Sequence, residues 1–489
     1  VDENKKKLIR MVGRKNVLDD PKTLEAHAKD QSFVLSIKPW LVVKPISIEE
    51  VQAIIVWANE TSTPLVPLSS GSPHFHGDTI PSAPGGVIVD LSRMNAIKRI
   101  DRRNRMTVIE PGVTYSQLQP ELAKEGLRLS TPLLPRRNKA VIASLLERQP
   151  TIIPRYQYSM TEPLRNLGVV WGNGDLLYTG EAGGSVYSLE GQWNAGGRQV
   201  DPKGPGQTDF LRLITGAQGS MGIVAWASVK CELLPQVHRV FFMGAEKLES
   251  LTDFSYRLQR LRLGDEVLLL NHAQLARMLG RGADQVRSLK ESLPIWTLII
   301  GVAGRALFPE ERVAVQEKDI ADLAQHFGGK LLSAIPGATN REVLNTILNP
   351  SDEPYWKLRA KGGCQDIFFL TTLDKIPQFI KTMVSAAEAF KYPASEIGIY
   401  IQPQHQGVAH HCEFSLPFDP QDQKEVARVK DLYCRASEEL IGQGAYFSRP
   451  YGMWANLVYN RDAQGTIALR KIKQIFDPQN VMNPGKLCF

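Results

Sequence analysis

The sequence predicts an α+β protein, and three observations carry that prediction. Residues 40–67 read as a strand, an amphipathic helix and a second strand, a β-α-β unit. A further series of strand-like and helical stretches fills residues 236–440. Between the two, Pro235 marks a domain boundary. The chain has 489 residues, 43% hydrophobic and 22% charged. That length allows roughly two to four domains with real cores, and the composition excludes disorder as the main state.

The elements follow from local pattern. Trp40–Val43 is a short β-rich run. In Ser47–Asn59 the spacing of Val51, Ile54, Ile55 and Ala58 makes one apolar helical face, and Ser47 with Glu50 reads as a capping box. Leu65–Pro67 is the next strand. A loop of small and polar residues follows, Ser69–Thr79, and strands at Gly86–Leu91 and Met106–Ile109 come after it. From Gly168 a hairpin turns around Gly172-Asn173-Gly174-Asp175. Ile223–Leu233 alternates as a strand. Beyond Pro235, Val240–Phe242, Trp296–Val302, Ile397–Gln402 and Glu413–Leu416 read as strands. Pro309–Phe327, Asp374–Phe390, Gln423–Gly442 and Thr466–Ile475 read as helices. No internal repeat is visible.

Composition narrows the function classes. The formal net charge is +7, but Lys5-Lys6-Lys7, Arg102-Arg103 and Arg136-Arg137 are short clusters that read as solvated surface. None carries the aromatic interleaving of a nucleic-acid binder. No run approaches the ~18 apolar residues of a membrane helix, and the charged Val1–Lys7 is not followed by a leader-like apolar run. Five scattered cysteines (Cys231, Cys364, Cys412, Cys434, Cys488) form no CxxC. They argue against a disulfide framework or an iron–sulfur cluster, and a reducing, cytoplasmic setting is the expectation.

The small-residue loop Ser69–Gly77 follows a strand, where backbone N–H groups and hydroxyls can approach a phosphate. Neither GxGxxG nor GxxxxGK[ST] occurs, which counts against a Rossmann nucleotide site and a P-loop. Further along come Glu110-Pro111-Gly112-Val113, then Thr215–Val224 (TGAQGSMGIV), and finally Phe476–Lys486 (FDPQNVMNPGK). Together and in this order, these segments resemble the PCMH-type FAD-binding flavoproteins: vanillyl-alcohol oxidase, p-cresol methylhydroxylase, glycolate oxidase and D-lactate dehydrogenase relatives. The resemblance covers roughly residues 25–235 and 440–489.

It implies a two-part FAD-binding domain of PCMH type (1–235, completed by 441–489) and a ferredoxin-like α+β substrate cap (236–440). The family's pyrophosphate loop falls on Ser69, Ser70, Gly71, Ser72, Pro73 and His74, and its proline–glycine turn on Pro111 and Gly112. The segment that lines adenine and flavin through backbone groups falls on Gly216, Gly219, Gly222 and Ile223. The terminal asparagine and lysine near the flavin fall on Asn483 and Lys486. Pro73 stands where tethered relatives carry a histidine, so non-covalent FAD is implied. The family's glycine-rich stretch is replaced here by Val141–Pro154, onto which only Ala143 and Ser144 carry over. Glu162, in the turn before the Gly168 hairpin, is a carboxylate that could approach the flavin in such folds.

Two constellations carry candidate chemistry. Tyr400–Glu413 (YIQPQHQGVAHHCE) holds His405, His410 and His411. If His411 begins a strand, it shares a face with Glu413, while His410 and Cys412 share the other. Such a face suits a divalent metal held by His405, His411 and Glu413, an acid–base pair, or hydrogen-bonded histidines without metal. Tyr446–Tyr451 contains Arg449 and Tyr451, where the family places an Arg/Tyr pair over the flavin. Guanidinium offers carboxylate or phenolate a two-pronged grip. Trp356–Arg359 could present a cation, though amphipathic packing explains it as well. Cys364 has no histidine nearby in sequence to activate it.

The expected function is an FAD-dependent oxidoreductase that oxidises an alcohol carbon by hydride transfer to flavin, with a 2-hydroxy acid as leading substrate. A para-substituted phenol is the alternative, and a flavin-carrying relay subunit without its own substrate is the alternative of another class. Expected partners are a small anionic or phenolic substrate, a separate electron-acceptor protein and a second copy of the chain.

Overall fold

The computed structural model describes residues 2–154, 163–184, 188–204, 206 and 209–489. Three sheets organise the chain. In the first, Leu41–Val43 and Leu65–Leu68 flank Val87–Asp90 in parallel, and Val17–Leu18 adds an antiparallel edge. The helix Ile48–Thr61 crosses between the two parallel strands and buries Val51, Ile54, Ile55 and Ala58, the face read from its spacing. Ser47 caps it by accepting from the Glu50 N–H at 3.3 Å. The Glu50 carboxylate reaches back to the Ile46 N–H, one residue before the partner a capping box uses.

The second sheet is antiparallel, in the order Ile97–Asp101, Met106–Ile109, Gly222–Lys230, Leu164–Trp171, Leu176–Tyr178. Its last pair is the hairpin expected at Gly172–Asp175. The C-terminal segment returns to the first sheet. Leu65 and Met482 form a parallel bridge, and the Leu65 N–H donates to the Val481 carbonyl at 2.8 Å.

Residues 237–418 build a six-stranded antiparallel sheet. Its order is Val237–Ala245, Trp296–Gly304, Val267–Asn271, Gly398–Gln404, Ala409–Phe418, Gly363–Thr371. Each half runs strand, helix, strand, strand, helix, with the third strand between the first and second; the first half inserts two further helices, His272–Leu279 and Ala283–Ser292, before its third strand. The halves join edge to edge at Leu269↔Ile401 and Leu270↔Tyr400. This internal repeat was invisible in sequence, because packing preserves only hydrophobic pattern and not residue identity. Val267–Asn271 and Gly363–Thr371 escaped the sequence reading: short apolar runs do not by themselves separate strand from helix.

The sheet alternates strictly, as period two demands. Phe241, Val267, Leu269 and Cys412 pack into the helix-covered core. Val240, Phe242, Leu268, Leu270 and Tyr400 belong to a cluster on the opposite side, which also contains Leu133, Ile152 and Trp356. That side faces the candidate site. Among the described residues no helix is long and apolar enough to cross a membrane, and all five cysteines are free.

Candidate active site

A cavity of about 230 Å³ is lined both by the Gly216–Val224 segment and by residues on the side of the six-stranded sheet that carries Tyr400 and Glu413. At one end Leu68, Leu91, Pro111, Ile214, Ala217 and Val224 form an apolar slot. Ser69, Ser70, His74, Arg136 and Lys139 line its middle. At the far end stand Tyr355, Lys357, Asp366, Phe368, Tyr400, Glu413, Arg449 and Tyr451.

Backbone contacts shape the middle. The Gly71 N–H donates to the Asn138 carbonyl at 3.0 Å, and the Gly71 carbonyl accepts from Arg136 at 2.5 Å. Asn138 Nδ2 donates to the Ser72 carbonyl at 2.6 Å, and the Ser70 hydroxyl accepts from the Ala140 N–H at 3.0 Å. Of the six loop residues expected to hold pyrophosphate, Ser69, Ser70 and His74 line the cavity, Gly71 and Ser72 brace it through their backbone, and Pro73 is not in its lining. Lys139 pairs with Glu147, and both lie in the cavity wall. Burial, opposed by Glu147, lowers the Lys139 ammonium from its usual value. Burial, with Arg136 and Lys139 nearby, holds the His74 ring down at about 3, so it stays neutral. Burial and then Glu147 push the Asp78 carboxyl up to about 7. This stretch thus keeps cations in excess of anions, which suits a diphosphate, and the apolar slot suits a flat ring. The residues present fit FAD.

The glycines meet protein as much as space for a ligand. A Cβ on Gly219, at φ +71°, would stand 2.4 Å from Pro67 Cγ, and one on Gly222 would stand 2.5 Å from the Val170 carbonyl oxygen. On Gly112 it would meet the carbonyls of Leu91, Ser92 and Met94 at 2.7–2.9 Å. Gly216, Gly219 and Gly222 line the cavity; packing against protein excludes a side chain at the last two, while at Gly216 the left-handed φ of +77° favours glycine and a Cβ would meet only the Arg148 side chain at 3.0 Å. Gly219→Ala is expected to cost at least about 1 kcal/mol of stability from the left-handed backbone alone and to loosen FAD. Thermal melting and FAD retention on gel filtration would check this. Ala143 and Ile223 line the cavity as well. Ser144 is turned inward, accepting from the Tyr115 hydroxyl at 3.0 Å and donating to Gln149 at 2.7 Å.

Asn483 and Lys486 act as clamps on the loop. Asn483 Nδ2 donates to the Asp78 and Gln218 carbonyls at 2.8 and 2.7 Å. Lys486 donates to the carbonyls of Gly77 and Ile80 at 2.8 and 2.9 Å. They fix the cavity wall without lining this cavity. Arg136, read in sequence as solvated surface, is 6% exposed and forms part of that wall; its neighbour Arg137 is the exposed member of the pair.

At the far end, strand register assembles the chemistry. Glu413 stands between Tyr400 and Phe368 on neighbouring strands, His411 between Gln402 and Leu370, and Ser415 between Gly398 and Asp366. Lys357, from the turn Trp356–Leu358, reaches into this row. It donates to Glu413 Oε1 at 2.5 Å and Asp366 Oδ2 at 2.6 Å. Burial would raise the Glu413 carboxyl, but Lys357 and His411 outweigh it and hold it well below the usual carboxylate range. Burial holds His411 down at about 4, against the pull of Glu413. Arg449 is buried, with its guanidinium 4.0 Å above the Phe368 ring. Its hydrogen bond among the described residues is the long one to His411 Nδ1, at 3.5 Å. Burial raises the Tyr400 and Tyr451 phenols well above their usual value, so both remain hydrogen-bond donors.

The histidine cluster divides as its alternation implied. His411 and Glu413 share the cavity-side face, 3.4 Å apart. His410 is buried on the other face with its ring edge-on to Tyr256, and neither ring nitrogen has a hydrogen-bond partner among the described residues. His405 sits in the turn His405–Gly407, outside the cavity lining. Among the described residues no group of three His, Cys, Asp or Glu converges as a metal site. The expected trio His405, His411 and Glu413 is not brought together, and the carboxylate instead takes the Lys357 ammonium. Glu162 lies outside the described residues. Cys364 lies behind Asp366, and burial pushes its thiol far up, away from nucleophilic use.

His410 supplies a pH prediction. Burial lowers its ring from 6.5 to about 4. The folded value is the lower one, so the stability gained by keeping the ring neutral is complete above pH ~6.5 and is lost as pH falls toward 4. His410→Phe should therefore gain about 2 kcal/mol relative to the parent between pH 7.5 and pH 5, read by denaturant unfolding at both values.

Two family models match the chain. One is described as "FAD binding domain" and matches residues 39–177; the other, "FAD linked oxidases, C-terminal domain", matches residues 295–487. The chain belongs to the PCMH-type FAD-binding oxidoreductase superfamily. It is an FAD-dependent oxidoreductase, and FAD is held without a covalent tether. The flavoprotein is 26% identical to the D-2-hydroxyglutarate dehydrogenase of Stutzerimonas stutzeri (strain A1501), an alignment covering 96% of each chain. It is 27% identical to the 4-cresol dehydrogenase [hydroxylating] flavoprotein subunit of Pseudomonas putida, over 92% of this chain and 87% of that one. Among solved structures it resembles substrate-bound p-cresol methylhydroxylase, with a TM-score of 0.83 at 18% identity, covering 100% and 96% of the chains. It also resembles 4-ethylphenol oxidase from Gulosibacter chungangensis, with a TM-score of 0.80 at 17% identity, covering 99% and 96%.

Proposed function

We propose that this flavoprotein oxidises a small para-substituted phenol at the carbon attached to the ring. The observation that carries the reading is an aromatic chamber closed around a sparsely bonded Arg449. Phe75, Tyr355, Trp356, Phe368, Tyr400 and Tyr451 line the cavity on this side, and flat walls suit a flat substrate. The Arg449 guanidinium has donors left for a phenolate oxygen, and the Tyr451 hydroxyl can add its own, while the Tyr400 hydroxyl donates to Gln402 Oε1 at 2.8 Å. Lys357 is committed to Glu413 and Asp366. A dianionic hydroxy acid would need a second available cation, and among the described residues lining this end of the cavity Arg449 is the one cation outside an ion pair.

Bound FAD supplies the two-electron acceptor for the hydride. The protein's part is to hold the ring, stabilise its oxygen as an anion through Arg449, and exclude water with the aromatic walls. Glu413, kept ionised by Lys357, is a fixed negative charge rather than a proton acceptor, and neutral His411 stands between it and Arg449. Reoxidation falls to a separate electron acceptor.

The 2-hydroxy acid reading is supported by likeness over most of both chains to D-2-hydroxyglutarate dehydrogenase, to D-lactate dehydrogenases and to a glycolate oxidase subunit. Anaerobic mixing with 4-alkylphenols and with D-2-hydroxy acids tests both, read as bleaching of the oxidised flavin band at about 450 nm. Phenols are expected to bleach it. Bleaching by hydroxy acids alone, with a stoichiometric divalent ion in the purified protein, would overturn the phenol reading. A flavin that no member of either panel reduces would favour the relay subunit.

A further inference from the structure

The carboxylates in the wall of the cavity are not equivalent. Glu147 is answered by Lys139, and Asp366 and Glu413 share Lys357. Asp78 lines the same cavity, and among the described residues its carboxylate makes no ion pair and no hydrogen bond. The backbone holds it there. The Asp78 carbonyl accepts from Asn483 Nδ2 at 2.8 Å, and the Gly77 N–H before it donates to Asp30 Oδ2 at 2.7 Å. Lys486 approaches from the C-terminal segment, but its ammonium is committed to the carbonyls of Gly77 and Ile80. The charged groups around Asp78 are therefore Glu147 and Lys139 in the cavity wall, Asp30 from the N-terminal segment and Lys486, and its charge also acts on Arg136 and Tyr451. Burial holds the neighbouring His76 ring down at about 3, so it stays neutral.

FAD carries two negative charges on its diphosphate. With Asp78 ionised, the middle of the cavity sets Arg136 and Lys139 against Glu147 and Asp78. A dianion would then enter with no net positive charge to meet it. Like charges in a desolvated wall cannot all stay ionised, and the carboxylate without a counter-ion is the one that takes a proton. We propose that FAD enters this cavity together with one proton from solvent, which Asp78 takes up as a neutral carboxylic acid. Nothing is oxidised or reduced in this step: carboxylate and proton become carboxylic acid, and the wall is left with one cation in excess. Burial and Glu147 push the Asp78 carboxyl up to about 7 through protein alone, and an added diphosphate raises it further. The FAD-bound value is the higher one, so binding is strongest below pH ~7 and weakens as pH rises from there toward the bound value. The inference concerns the cofactor and holds for either substrate class.

The test is the dissociation constant of FAD from pH 6 to pH 8.5, measured by diluting the FAD-loaded protein and reading released FAD by its fluorescence. The constant is expected to be flat up to about pH 7 and then to rise about ten-fold per pH unit, a slope that counts one proton. FAD itself has no group that titrates in this range. Asp78→Asn and Asp78→Ser remove the acid and keep the carbonyl that Asn483 holds. Either variant should bind FAD at pH 8.5 to within about two-fold of its own affinity at pH 6. The two side chains differ in size and polarity, so a variant that fails to fold leaves the other to decide. A wild-type constant that stays flat across the range would overturn the proposal. Variants that keep the wild-type slope would place the proton elsewhere and overturn it as well.

Discussion

Lys357→Met is expected to destabilise the protein by about 3–5 kcal/mol. Lys357 is 8% exposed and its ammonium lies between two carboxylates, at 2.5 and 2.6 Å. Removing it leaves Asp366 and Glu413 side by side, buried and joined only through Ser415. Like charges in so confined a site cannot both stay ionised, so one must take a proton. The pH dependence should then reverse. In the parent, Lys357 holds the Glu413 value below its unfolded one, so the Glu413 contribution is present above the normal carboxylate range and is lost only in strong acid, whereas burial raises the Asp366 carboxyl despite Lys357. In the variant the carboxyl values rise, and stability falls as pH increases above about 4.5. Unfolding at pH 5 and pH 8 should show the larger loss at pH 8. Adding Glu413→Gln to Lys357→Met should recover part of the loss at pH 8. Equal losses at both values would contradict a buried ionic triad.

Arg449→Met is expected to lower kcat/KM by about 100-fold, the worth of a charged hydrogen bond to the substrate anion. FAD content should be unchanged. Arg449→Lys keeps the charge but loses the planar fork and the stacking on Phe368, and should recover only part of the loss. Steady-state kinetics beside the flavin spectrum separate this from cofactor loss. A variant with normal kcat/KM would remove Arg449 from the anion site.

Much of the fold was legible because local physics set it. The helix Ile48–Thr61 follows from its apolar spacing and Ser47, and Gln423–Gly442 begins and ends where its periodicity does. The hairpin near Gly172 follows from its turn residues. The site was legible only in part. His411, Glu413, Arg449 and Tyr451 could be named because strand alternation and an Arg/Tyr pair leave marks in sequence. Lys357 could be seen only as a cation in an amphipathic stretch. Its meaning depends on Asp366 and Glu413, which lie 9 and 56 residues away. Arg136 looked like surface because a two-residue basic cluster says nothing about burial.

Residue order alone was enough to assign an α+β flavoprotein: small-residue loops after strands, a proline–glycine turn and the closing FDPQNVMNPGK occur in one order along the chain. Which side chains meet was decided in three dimensions. The six-stranded sheet sets Tyr400, Glu413 and Phe368 side by side through antiparallel register. A one-residue slip would turn Glu413 into the core. That placement turned a suspected metal cluster into a lysine-bridged carboxylate pair beneath a buried arginine. Pairing across the sheet acts between segments far apart in sequence, and no local pattern records it.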